Sequence, residues 1–166
     1  MIPILRLIHI VFGVFWVGSV LFVTFILMPS MRAAGPSGMS VMKEFGRRVP
    51  MIMMISSFFT VGAGIWLMVI FTTGAPGWMQ STTGRTFAIG SALAILAVIL
   101  GMVINAPAAK RMSAIGAAIE QRGGPPTAEE AQQIQHLQSR LGTAGVAVAI
   151  LLLLATAAMA VARYLP

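Results

Sequence analysis

Four uninterrupted apolar runs, at about residues 4–28, 50–72, 86–106 and 141–162, take up more than half of this chain. Each has about 20 or more residues almost free of charge, the length a helix needs to cross roughly 30 Å of hydrocarbon. A water-facing fold cannot hide four such stretches in 166 residues, whereas in lipid a helix satisfies its own backbone polar groups. The predicted fold class is therefore all-α, an integral membrane four-helix bundle forming one domain over residues 1–166. A composition of 58% hydrophobic and 9% charged residues agrees with it. The first run reads as a retained helix rather than a signal peptide. It continues past Gly18 and has Phe15 and Trp16 where a small-residue cleavage site would stand.

Threading the chain four times through a bilayer sorts its cations. One side receives Arg32, Lys43, Arg47, Arg48, Lys110, Arg111, Arg122 and Arg140; the other receives Arg6, Arg85 and Arg163. The positive-inside rule makes the first side cytoplasmic, which puts both termini outside a bacterial cytoplasmic membrane. The acids Glu44, Glu120, Glu129 and Glu130 fall on the cytoplasmic side too. The net charge of +7 is thus a membrane-edge feature: Lys43, Arg47, Arg48, Lys110 and Arg111 adjoin spans and suit anionic lipid head groups. No basic stripe interleaved with aromatics points to nucleic acid. With no cysteine, disulfides, thiolate metal sites and thioether-linked haem are excluded.

Prolines, glycines and caps divide the chain further. Pro29 is expected to close the first helix, followed by a turn at Gly35-Pro36-Ser37 in which Ser37 caps the second. That helix starts in the cytoplasm and kinks at Pro50 on entering the membrane. After Asn105-Ala106-Pro107, residues 108–121 are good helix formers, stopped by Gly123-Gly124-Pro125-Pro126. Thr127 with Glu130 three residues on is a capping-box pattern, and no proline interrupts residues 128–164. The last helix is then about 37 residues, about 55 Å long. Helices 2, 3 and 4 extend on the cytoplasmic side, with a helical hairpin over about 108–140 in which Ile115, Ala118 and Ile119 face Ile134 and Leu137. The outer connection, 73–85, has turn residues and Trp78, but no acid, histidine or phosphate-cradling loop. Small residues in the later helices (Ser57, Thr60, Gly64; Gly90, Ala94, Gly101; Gly142, Gly145, Ala149) mark close-packing seams.

The chemistry-bearing residue within a span is His9. An imidazole in lipid is costly and marks a site by default. His9, Gly13, Trp16 and Val20 share one helix face, and Gly13 leaves room for a flat ligand or a close neighbour. Two readings stand: a ligand-bearing stripe, or a packing seam in which His9 bonds a carbonyl. Met68 and Met159 are expected at a comparable depth, so His9, Met68 and Met159 form a candidate metal set. One imidazole with two thioethers suits Cu(I), and imidazole with thioether suits haem iron. The plainer alternative is that methionine fills gaps in an apolar bundle. His136 and Arg140, four apart at the inner edge, read more simply as a solvated helix face. They lie across the membrane from His9, which excludes a haem held by both histidines.

The segment His9-Ile10-Val11-Phe12-Gly13 followed by Trp16-Val17-Gly18 resembles the leading helix of small bacterial membrane proteins of the CopD-like and DUF2269-like groups. More distantly it is similar to HemJ-type protoporphyrinogen oxidases. The likeness rests on His9, Trp16 and Gly18, and it implies copper handling or haem binding through the membrane histidine. HemJ-type proteins also use a lysine in a later span, and no lysine lies within any span here. Two functions follow as expectations. The first is a small redox or metal-handling membrane protein holding copper or b-type haem near His9, with Gly13 and Trp16 beside it. The second is a non-catalytic accessory or structural subunit of a larger membrane complex, or a homo-oligomer. A proton-coupled carrier lacks a carboxylate in any span, and hydrolase chemistry lacks a nucleophile–base–acid set.

Overall fold

The computed structural model describes residues 1–34 and 38–165. Four long helices follow one another: α1 (Ile2–Ala34), α2 (Gly38–Gly74), α3 (Thr82–Arg122) and α4 (Ala128–Val161), the last ending in a 3₁₀ turn at Ala162–Tyr164. Among the described residues there is no strand. The expected turn at 35–37 with its Ser37 cap, and the side chains of Lys43 and Arg47, lie outside the described residues.

One expectation about a helix end is corrected: Pro29 does not close α1, which continues to Ala34. As expected of an extended third helix, α3 runs through Pro107 unbroken for 41 residues. In both places a π-helical turn precedes the proline, Val23–Leu27 before Pro29 and Gly101–Asn105 before Pro107. A proline in a helix lacks an N–H and crowds the carbonyl four residues back. Those carbonyls belong to Phe25 and Val103, each inside the wider π turn, where the spacing absorbs the ring without ending the helix. All four helices, α1 included, therefore outrun a bilayer's hydrocarbon thickness. Pro50 lies within α2.

Each helix contains a stretch long and apolar enough to cross a membrane, and only between 11% and 28% of each such stretch is buried inside the bundle. The rest faces outward: Leu7, Val14, Phe58, Trp66, Ile89, Met102 and Leu154 are among the exposed large side chains. A surface of this kind is compatible with lipid.

α1 packs chiefly on α2 and α3 chiefly on α4, giving two antiparallel hairpins joined by the turn at 75–81. In that turn Ser81 caps α3 by accepting from the Gly84 amide at 3.0 Å. A Cβ on Gly84 would stand only 2.0 Å from the Trp78 carbonyl oxygen, so the turn needs glycine there. The two hairpins meet over a core of Trp16, Val20, Ala97, Val148, Ala149 and Leu152. Toward the α1–α2 and α3–α4 connections, α1 and α4 converge on glycines: Thr24 lies against Gly145, and Arg32 lies against Gly142 while donating to the Gln138 carbonyl at 3.1 Å. The expected capping box is present: Thr127 Oγ1 accepts from the Glu130 amide and Glu130 from the Thr127 amide. Arg122 adds a two-pronged bond to the Glu130 carboxylate at 2.7 and 2.8 Å, fastening the end of α3 to the start of α4. That arrangement, Arg122 first and the Thr127 amide second, pulls the Glu130 carboxyl down to about 2. Ile115, Ile119 and Ile134 are half-buried and Leu137 buried along this pair, whereas Ala118 is exposed.

Candidate functional site

His9 leaves α1 toward α2 and lies half-buried over Gly64. The fit depends on that glycine: a Cβ there would stand 2.8 Å from Cε1 and 3.0 Å from Nδ1 of the ring. Nδ1 is 2.7 Å from the Thr60 backbone oxygen. A carbonyl oxygen only accepts, so Nδ1 carries the proton and the lone pair of the neutral ring lies on Nε2. Thr60 is itself buried, its hydroxyl donating to the Ser56 carbonyl at 2.7 Å, which holds the turn of α2 that presents this oxygen. Among the described residues Nε2 has no hydrogen-bond partner.

The ring lines a cavity of about 530 Å³ shared by all four helices. Gly13, Trp16 and Gly18 contribute from α1, Thr60 and Gly64 from α2, Ala94 from α3, and Met159 from α4. The volume is in the range of ligand sites, and the lining is almost wholly apolar. Met159 mirrors His9 in its seating: its Cγ would meet a Cβ on Gly90 of α3 at 3.0 Å. Each hairpin thus brings one donor to the cavity over a glycine of its own partner helix.

The residues singled out from the sequence are distributed unevenly. His9, Gly13, Trp16 and Met159 share the cavity wall; Met68 is half-buried on α2 and not on that wall. The cavity therefore offers His9 and Met159, not the three-donor set. His136 and Arg140 are both exposed on α4. Met51 and Met54 are also exposed, while Met53 packs against the core. Among the described residues no three His, Asp or Glu side chains gather as a metal site.

Two parts of the site had no signal in the sequence. Thr60 was marked only as a small residue, and its contribution is a backbone oxygen, which every residue possesses. The second is an aromatic row at the termini end: Arg6 lies over the Phe71 ring at 5.4 Å, Phe71 stacks on Trp78 at 5.6 Å, and Trp78 on Phe87 at 6.1 Å. It links α1, α2, the α2–α3 turn and α3 just beyond the cavity. The stacking partners of Trp78 are 7 and 9 residues away in sequence, and nothing in their spacing announces a stack.

No family model matches the chain, and no curated protein or solved structure matches it.

Proposed function

We propose that this chain is a membrane-embedded cofactor protein that holds a b-type haem in the four-helix cavity, where His9 would hold it through Nε2. The observation that carries the reading is the 2.7 Å bond from Nδ1 to the Thr60 oxygen. A histidine that ligates a metal commonly donates its other ring nitrogen to a carbonyl, which fixes the tautomer and aims the lone pair. Here that arrangement lies beside an apolar cavity of about 530 Å³, roomy enough for a macrocycle and larger than a lone ion needs. Imidazole and thioether are a haem-ligating pair, so Met159 is the candidate second ligand. Arg6, one turn from His9, and Arg163, one turn from Met159, suit the carboxylates of such a ring.

Bound haem would supply one-electron or small-molecule chemistry at its iron. The protein's own contributions are separate. Thr60 orients His9, Gly64 and Gly90 admit the two donors, and the apolar walls exclude water. In this reading the bundle lies in a bacterial cytoplasmic membrane with both termini outside, its basic residues against inner-leaflet head groups.

Protein purified from membranes tests the proposal by visible absorption and metal analysis. The expected result is a Soret band lost or shifted in His9→Ala. Stoichiometric copper lost in both His9→Ala and Met159→Leu would reassign the site to copper. A colourless, metal-free protein that co-purifies with a larger assembly would overturn both and favour an accessory subunit.

A further inference from the structure

We infer that the cavity is filled and emptied sideways, from within the bilayer, through the gap between α1 and α4, so that its ligand is a membrane-dissolved one. The inference rests on the reading that this cavity is the binding site.

The two ends of the cavity are obstructed. On one side stands the buried core of Trp16, Val20, Ala149 and Leu152. On the termini side, the row Arg6–Phe71–Trp78–Phe87 crosses α1, α2 and α3. The end of α4 is tied to the start of α3, where the Thr83 hydroxyl donates to the Leu165 carbonyl at 3.4 Å and Ala162 is fully buried. What remains is lateral.

Of the two lateral gaps, one has a glycine with open space at its wall. Bulky side chains line both, Val61, Ile65 and Ile95 from α2 and α3 and Ile10 and Val14 from α1. On the α1–α4 side the wall also includes the small, exposed Gly18, Thr156 and Ala160. α1 and α4 are close where Thr24 meets Gly145, at 3.3 Å from a Cβ built there, yet a Cβ on Gly18 would meet nothing within 4 Å. The helices therefore part on the termini side of their core. Ile10 and Val14 line the cavity while being 59% and 70% exposed, so the rim of the cavity is also the molecule's lipid-facing surface. An apolar molecule in the leaflet reaches His9 without entering water, whereas a water-soluble ligand would have to pass the aromatic row.

Trp16 lines the cavity and is only 5% exposed, so it reports on entry independently of haem. The single-tryptophan protein Trp66→Phe/Trp78→Phe is reconstituted into phosphatidylcholine vesicles with brominated acyl chains, which quench at close range. Strong quenching of Trp16 is expected, falling to less than half in Gly18→Leu and unchanged in Ile95→Phe. Gly18→Leu has open space for its side chain, so the bundle tolerates it. In a parallel arm, haem dissolved in vesicles is expected to enter Gly18→Leu more slowly than the parent. Absence of Trp16 quenching, or a loss produced by Ile95→Phe and not by Gly18→Leu, would overturn the lateral route. Quenching that follows Gly18 in a protein with no haem spectrum supports the route and defeats the haem reading alone.

Discussion

At the scale of single residues, the site depends on what one atom would do if added. Gly64→Ala places a methyl 2.8 Å from the His9 ring, which must swing away from the Thr60 oxygen. Overpacking of this kind costs about 1–3 kcal/mol, and here it also removes the bond that aims Nε2. We expect Gly64→Ala to lower thermal stability and to weaken or shift any haem spectrum as His9→Ala does. Gly62→Ala, where a Cβ meets nothing within 4 Å, is expected to do neither. Melting curves and absorption spectra of the three variants check this. Equal behaviour of Gly64→Ala and Gly62→Ala would mean that His9 is not held against α2. His9 itself was conspicuous from the chain alone, because a titratable side chain among apolar residues is a local property. The glycine beneath it was visible only as one of many small residues.

At the scale of helices and their ends, the α3–α4 connection is held by charge and capping. The Glu130 carboxyl, lowered from 4.5 to about 2 by Arg122 and the Thr127 amide, binds fewer protons in the folded hairpin than in an open one. Its stabilising contribution is complete above about 4.5 and disappears as pH falls toward about 2. Protection of the amides around residues 122–131, measured as exchange relative to the free peptide at each pH, is therefore expected to fall as the pH drops through that acid window and to be nearly constant above it. Glu130→Gln should show low protection across the whole range, and a flat wild-type profile through the acid window would refute the clasp. Thr127→Ala, which removes the cap, is expected to cost about 1 kcal/mol of local stability, read from the same exchange data. This cap was legible in sequence because all its parts lie within four residues. The π turns were not, since a proline advertises a helix end, and whether the helix continues depends on neighbours that make continuation worthwhile.

At the scale of the whole molecule, the exposed apolar belt and the distribution of charge make a prediction about placement. With both termini outside, a reporter fused at either end that is active only after export should be active. Activity only in the cytoplasm would reverse the orientation. The same belt predicts that the protein extracts with detergent and not with high salt or alkali, which fractionation of membranes tests directly. Behaviour as a peripheral protein would remove the basis for the lateral route to His9.

Hydropathy, caps and glycine stops act over a few residues, and by themselves they determined four membrane-length helices, a helical hairpin closed by a capping box and one histidine out of place in an apolar run. Tertiary structure alone decided that Gly64 lies under His9 and Gly90 under Met159, that Met68 stays off the cavity wall, and that α1 and α4 part at Gly18. The reason is physical. Those facts are set by the relative rotation and spacing of helices that are distant in sequence, as in the 51 residues between His9 and Thr60. In an all-apolar bundle almost any helix face can turn inward, so hydrophobic pattern does not choose the rotation; the fit of side chains into the gaps left by glycine does.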